Sequence, residues 1–267
     1  MALSTNSGFG GINVALLLRN WDHSAALTTE GGPEIACDEA DIVLGAGWID
    51  GQEYGGVRKG RRVPYSPQAS LSTLWRTDPV FTGSTKDFGR FEPVARLAYY
   101  AVGLALDDAG VDDSWVSRRD IGLIGTNEAG CCQSNLHYFS DYVQAGRRIA
   151  RGGLFVHTLP SSPFAEAAIA YGIRGPLLYV TRAGAALPAA LRTAADMLRD
   201  SQARAMLVAW ADEDEAACLV LAPQAIAGHG GLCSAGEAVR VAERVRHGRD
   251  VAAAIAPGAP RVERANT

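Results

Sequence analysis

Five cysteines (Cys37, Cys131, Cys132, Cys218 and Cys233) and five histidines are the thiols and imidazoles available for chemistry in this chain of 267 residues. No two cysteines form a C-x-x-C pair and no histidines stand at H-x-x-x-H or H-E-x-x-H spacing, so no zinc or other metal site is expected. Cys131 and Cys132 follow the turn GTNEAG (125–130), close to an expected helix start that would lower a thiol pKa. Packing at a strand-to-helix junction is the preferred reading of that pair, because cysteine is often buried as an ordinary apolar residue. The run Asp212, Glu213, Asp214, Glu215 is read as a solvated turn between two strands rather than a cation site. His137, among aromatic neighbours on an expected helix, and His157, in a loop before Leu159 and Pro160, are read as structural.

The elements that must position these groups follow an alternating strand and helix pattern, which is the mark of a sheet with covering helices. Strands are expected at 41–49 (DIVLGAGWI), 120–126 (DIGLIGT), 177–181 (LLYVT), 204–211 (RAMLVAWA) and 217–223 (ACLVLAP). Helices are expected at 92–110, with Gly110 as the stop, at 132–148, at 162–176 from a Ser-Pro start to Gly172 or Gly175, and at 187–200 with Pro188 in the first turn. A Gly-, Pro- and Ser-rich excursion runs from the first strand to residue 87. Ahead of this pattern, Thr5 to Trp21 reads as a glycine-rich turn and a short buried strand, and 22–40 as a linker. Residues 224–267, rich in Ala, Gly and Arg, lose the rhythm and read as a poorly defined tail with a frayed end.

Composition narrows the partners. The hydrophobic content of 48 % suffices for a buried core. The net charge of −4, from 25 basic and 29 acidic residues without a Lys/Arg block, argues against nucleic acid. No apolar stretch reaches the roughly 18 residues of a membrane span, and the start MALSTNSGFGG lacks the features of a signal peptide, so a cytoplasmic protein with reduced cysteines is expected.

Three segments together resemble the β-ketoacyl synthase family. GTNEAG sits where those enzymes carry a glycine-rich turn, LPSSPFAEAAIAYGIRGP (159–176) is similar to their "LPN-A-x-x-x-A-x-x-x-G-x-x-GP" stretch, and a strand then runs into a turn and a long helix. The resemblance covers 41 to about 223 and implies an α/β, thiolase-like fold: the amino-terminal half of a synthase, with a mixed five-stranded sheet covered by helices. The family's nucleophile turn, Ser-Thr-Ala-Cys-Ala-Ser, is here Thr181, Arg182, Ala183, Gly184, Ala185, Ala186. Gly184 stands at the cysteine position and offers no sulfur, hydroxyl or amine, so no covalent acyl intermediate can form there. Thr181 is the nearest hydroxyl, but no base lies nearby in sequence and Arg182 is the wrong kind of group.

In the family a second half supplies two histidines and a lysine for decarboxylation, and that half is expected to be absent. His229, in AGHGGLCSAGEAV, bears a faint similarity to a catalytic-histidine turn, but the spacing is off and chance is preferred. SGFGGIN (7–13) is similar to the last hairpin of a full synthase, "NSFGFGGTN", placed ahead of the first half. Two accounts fit: a rearranged or fused reading frame, which is favoured, and a strand that completes the sheet and brings Phe9 near the acyl site. The resemblance makes Phe9, Ala183 and Gly184 candidates for an acyl and oxyanion site. It makes Arg58, Lys59, Arg61 and Arg62 of RKGRR candidates for contact with an acyl carrier protein and its phosphopantetheine arm, against the default of a solvated basic loop.

The resemblance implies no cofactor and a non-condensing, chain-length-factor-like or carrier-protein-binding accessory subunit in fatty acid or polyketide assembly. The alternative is a component of an active 3-oxoacyl-[acyl-carrier-protein] synthase completed in trans. Family members dimerise by pairing edge strands and packing helices around the nucleophile turn, so a homodimer or a heterodimer with an active ketosynthase is expected. The implied organisation is a synthase-like hairpin (1–21), a linker (22–40), the synthase-like domain (41–223) and the tail (224–267).

Overall fold

The computed structural model describes residues 2–7, 13–18, 41–64, 70–111, 120–147, 151–227, 230–245 and 248–257. The chain divides into two units, Met1–Ala36 and Cys37–Thr267. In the first, β1 (Ala2–Ser7) pairs antiparallel with β2 (Asn13–Leu18), Ala2 facing Leu18 and Ser7 facing Asn13. β2 coincides with the apolar run expected as a strand; Phe9 lies outside the described residues.

The second unit opens with β3 (Asp41–Ile49), β4 (Glu53–Gly56), β5 (Arg61–Pro64) and a short helix α1 (Leu74–Thr77). The helix α2 (Pro93–Ala109) follows, then β6 (Ile121–Thr126), α3 (Cys132–Gln144), α4 (Gly152–Phe155), α5 (Ser162–Ala170) and β7 (Leu177–Tyr179). The chain continues through α6 (Ala186–Arg199), β8 (Ala205–Ala211), β9 (Ala216–Pro223), α7 (Gln224–Ala227), β10 (Cys233–Ser234), α8 (Ala235–Ala242) and α9 (Gly248–Ala254).

The sheet has the order β5-β4-β3-β9-β8-β6-β7, with β10 added on β3. The five expected strands form the contiguous stretch β3-β9-β8-β6-β7. It is mixed: β6 runs parallel to both β7 and β8, whereas β9 is antiparallel to β8 and to β3. The β4–β5 hairpin lengthens it at the β3 side.

Both faces of the sheet are covered, and so the central strands are apolar on both sides. Along β8, Ala205, Leu207, Ala209 and Ala211 belong to the core on the α2 side, while Met206, Val208 and Trp210 belong to the core under α6, α8 and α9. This is the two-residue alternation of a strand read twice. α2 lies so close to β3 that a Cβ on Gly47 would sit 2.4 Å from the Ala105 nitrogen. Glycine is required there by the approach of the helix. α2 ends at Gly110, whose φ of 68° is the left-handed cap expected of it.

Two segments depart from expectation. The Gly-, Pro- and Ser-rich excursion contains the β4–β5 hairpin and α1. Residues 224–254, expected to lack a defined fold, hold α7, β10, α8 and α9, with Ala235, Ala238, Val239, Val251 and Ala252 buried in the second core. The physical signal was local: Ser234 caps α8 by accepting from the Glu237 nitrogen at 3.2 Å, the geometry that an S-x-x-E sequence favours. Residues 258–267 lie outside the described part. Among the described residues no helix is long and apolar enough to cross a membrane.

Candidate functional site

β6 and β7 run parallel, so their carboxyl ends deliver two turns to the same edge of the sheet. Gly125 faces Tyr179 in the register, and the Val180 nitrogen donates to the Gly125 carbonyl at 3.0 Å. GTNEAG therefore lies beside the turn that enters α6.

The first turn is fixed by Asn127, which is fully buried. Its Oδ1 accepts from the Gly130 nitrogen at 3.0 Å and from the Tyr179 hydroxyl at 2.6 Å. Asp212 supports the same turn: its carboxylate accepts from the nitrogens of Glu128 and Ala129, each at 3.3 Å. The Asp212 nitrogen in turn donates to the Glu215 carbonyl at 3.0 Å, closing the β8–β9 hairpin. The acidic run is thus a hairpin turn whose first carboxylate orders the neighbouring loop, and burial raises that carboxyl above its ordinary range. Among the described residues no three His, Cys, Asp or Glu side chains gather as a metal site would require.

In the second turn Thr181, Arg182, Ala183 and Gly184 are all exposed. The Ala185 nitrogen donates to the Arg182 carbonyl at 2.9 Å, and Gly184 adopts a φ of 66°. No heavy atom lies within 4 Å of where a Gly184 Cβ would stand. α6 starts two residues later with no side chain capping it, and it buries Ala186, Leu187 and Pro188 immediately. The position thus combines a free helix start, whose partial positive charge suits an anion or carbonyl oxygen, with an absence of any nucleophilic side chain.

The other candidates are scattered over the fold. Cys131 is buried with its Sγ 3.4 Å from the Leu159 carbonyl. Burial first, then the charges of Glu166, Glu92 and Asp212, push its thiol up to about 11. It is a neutral packing residue at neutral pH. Cys132 and His137 are exposed on α3. His229 lies outside the described residues.

Arg58, Lys59, Arg61 and Arg62 lie on and beside the β4–β5 hairpin, at the opposite edge of the sheet from β7. Each is engaged within the chain. Arg58 Nη1 donates to the Leu44 carbonyl at 3.3 Å, Lys59 pairs with Asp107 at 2.8 Å, Arg61 pairs with Asp78, and Arg62 pairs with Glu53. The Arg58 and Lys59 nitrogens also donate to the buried Asp108 carboxylate. The structure does not bring this basic loop together with the 181–184 turn.

A second concavity was not foreseen. Ser84, Lys86, Asp87, Arg90 and Phe91, ahead of α2, face Gly153, Val156 and His157 and the α5 residues Glu166, Ile169 and Ala170 across a cavity of about 610 Å³. His157 Nδ1 stands 3.4 Å from Glu166 Oε1. Glu166 is the one charged residue of α5, and a lone glutamate among alanines gives no sequence signal of burial.

The family model described as "Beta-ketoacyl synthase, N-terminal domain" matches residues 21–238, from ahead of β3 into α8. No curated protein sequence matches the chain. A β-ketoacyl synthase from Burkholderia phymatum STM815 superposes with a TM-score of 0.53 at 16 % identity, covering 69 % of this chain and 59 % of that one. A type II polyketide synthase acyl-carrier protein in complex with its ketosynthase bound to the hexaketide gives 0.51 at 14 % identity, covering 70 % and 59 %. The ishigamide ketosynthase/chain length factor gives 0.54 at 15 % identity, covering 82 % of each chain. These likenesses are of fold, and the chain spans about 59 % of the length of the first two structures.

Proposed function

This chain belongs to the β-ketoacyl synthase family through its amino-terminal domain, and we propose that it is a member without condensing activity of its own, serving as a chain-length-factor-like or carrier-protein-binding subunit beside an active ketosynthase. The observation that carries the reading is Gly184. Condensation by this family's route needs a thiolate that attacks an acyl thioester, forms a new thioester on the enzyme and releases the carrier thiol. At Gly184 the backbone turn and the helix behind it are present, and the atom that would form the bond is not. Cys131, the nearest buried thiol in the adjoining turn, is held neutral.

What remains is a surface on which a phosphopantetheine-linked acyl chain can rest, with the amides around Ala183 and Gly184 offered to its carbonyl and Phe9 as a further candidate. Contact of Arg58, Lys59, Arg61 and Arg62 with the carrier protein's acidic surface is part of the proposal. That contact would compete with Asp107, Asp78 and Glu53 for the same cations. A partner subunit is supported by the face that α3 exposes, where Leu136, Phe139 and Val143 are 57 %, 60 % and 39 % exposed, and by β7, which ends the described sheet. The same face favours the second reading, a component of an active 3-oxoacyl-[acyl-carrier-protein] synthase completed in trans. The proposal places the assembly in the cytoplasm.

The test is intact-mass analysis of the chain with acyl- and malonyl-carrier proteins, alone and beside an active ketosynthase. We expect no acyl adduct on this chain and adducts confined to the partner. An adduct on the chain alone would sink the non-condensing reading. Condensed product that requires both chains, with a partner inactive by itself, would favour completion in trans.

A further inference from the structure

The cavity beside α5 holds an unmet hydrogen-bond acceptor. Glu166 Oε2 is buried and has no hydrogen-bond partner, while its sister oxygen faces His157 Nδ1 at 3.4 Å. A buried carboxylate oxygen left unpaired costs about 1–3 kcal/mol or more, so the position is one that a donor from outside would relieve. The cavity, of about 610 Å³, falls within the size range of small-molecule sites, and Phe91, Val156, Ile169 and Ala170 give it apolar walls.

The charges around it select the ligand. Among the described residues no lysine or arginine pairs with Glu166: of those lining the cavity, Lys86 and Arg90 are exposed, and Arg90, with an 86 % exposed side chain, is screened by solvent and lies 3.9 Å from Asp87. Glu92 adds its negative charge to the environment of Glu166. From these observations we propose that the cavity binds a small apolar amine, its ammonium donating to Glu166 and its hydrocarbon body lying against Phe91, Val156 and Ile169. Both an ammonium and an alcohol of the same shape can donate to the Glu166 carboxylate, but only the ammonium adds the attraction of an ion pair, and a carboxylate of the same shape meets Glu166, Glu92 and Asp87 as like charges.

Burial and the Glu92 charge hold the Glu166 carboxyl at about 7. An ammonium lowers it by pairing with the ionised form, so amine affinity rises as pH climbs from 6 toward 8; His157, Lys86, Asp87 and Arg90 are the other titratable groups that face the cavity.

The experiment is calorimetric titration of the purified full chain with 2-phenylethylamine, 2-phenylethanol and 3-phenylpropionate, repeated on Glu166→Gln. We expect the amine to bind at least about tenfold more tightly than the alcohol. Glu166→Gln should abolish that difference while leaving alcohol binding in place, which also reports that the cavity is intact. Ile169→Ala, at an exposed position on the wall, removes apolar contact without adding charge and should weaken both ligands. The proposal is overturned if 3-phenylpropionate binds more tightly than the amine, if Glu166→Gln leaves the preference for the amine unchanged, or if millimolar amine gives no binding heat.

Discussion

The Tyr179 hydroxyl donates to Asn127 Oδ1 at 2.6 Å, tying the end of β7 to the turn that leaves β6. This hydrogen bond links the GTNEAG turn to the strand that runs into the 181–184 turn. Asn127 Oδ1 also accepts from the Gly130 nitrogen, and Nδ2 reaches the Gly130 carbonyl at 3.4 Å. Tyr179→Phe removes one of these bonds and leaves Asn127 partly served; we expect a loss of about 1 kcal/mol in urea denaturation. Asn127→Ala removes them all and leaves the half-buried Gly130 nitrogen without its acceptor, so its loss should be about 2–3 kcal/mol. Equal effects of the two substitutions would mean that the Tyr179 bond carries all that Asn127 contributes.

Restoring a thiol tests whether the turn is a working oxyanion site lacking only its nucleophile. Gly184→Cys has open space for the side chain, but the φ of 66° is left-handed and disfavours any Cβ by about 1–2 kcal/mol. The variant should unfold at correspondingly lower urea and should be alkylated by iodoacetamide faster than Cys131, whose thiol is buried and neutral. It should accept no acyl group for condensation by itself. Condensed product from the variant alone would show that the bases needed for decarboxylation are supplied within this chain.

The sequence pattern showed the layered α/β architecture because its central strands and α2 are long and apolar: AMLVAWA and AACLVLAP are buried on both faces, and PVARLAYYAVGLALDDA ends at a glycine that takes the expected cap. Gly184 drew attention for another reason, the resemblance of 181–186 to a family turn. The β4–β5 hairpin was not, since EYGG and RRVP are four residues each, and β5 alternates between half-buried and exposed with charged side chains. α8 lies in a stretch whose Ala-, Gly- and Arg-rich composition reads as a tail, and its local signal is the capping pair Ser234 and Glu237. Glu166 could not be seen at all: its burial comes from segments 84–91 and 153–157 closing over α5, a tertiary event with no local signature.

Glu166 also makes stability depend on pH. Its carboxyl, ordinarily near 4.5, is held at about 7 in the fold by burial and by Glu92. The folded chain therefore binds this proton more tightly than the unfolded chain does. The contribution is complete below about pH 4.5 and is lost as pH rises through about 7. Glu166→Gln does not titrate, so its stability relative to the parent should grow across that window by about 2 kcal/mol, read from urea titrations at pH 5 and 8. A constant difference between parent and variant would show that the carboxyl titrates in the ordinary range.

Asp108 governs the basic loop. Its carboxylate, 2 % exposed, accepts from the nitrogens of Ala46, Arg58 and Lys59 at 2.9, 2.9 and 2.8 Å. Asp108→Ala leaves three donors without their acceptor and should cost about 3 kcal/mol or more, the scale for losing bonds to a buried charged group. Asp108→Asn keeps the shape but turns a donor toward these nitrogens, so it should recover less than half of the loss. Denaturation curves for both variants decide the point. If carrier-protein contact runs through Arg58 and Lys59, both substitutions should also weaken binding of a carrier protein in direct titration.

The exposed face of α3 separates association from folding. None of the α3 residues is buried, yet Leu136, Phe139 and Val143 recur at helical spacing on it, with Phe155 and Val156 of the following segment 43 % and 49 % exposed. A stripe of this kind on an otherwise polar helix is a surface suited to association, and it adds little to the chain's own core. Leu136→Asp together with Phe139→Asp should therefore leave the urea midpoint within about 0.5 kcal/mol of the parent, as substitutions of unburied residues do. The same pair should abolish association, measured by light scattering on the chain alone and on its mixture with an active ketosynthase. Unchanged mass for both samples would remove α3 from the interface and leave the edge of β7 as the surface to test next.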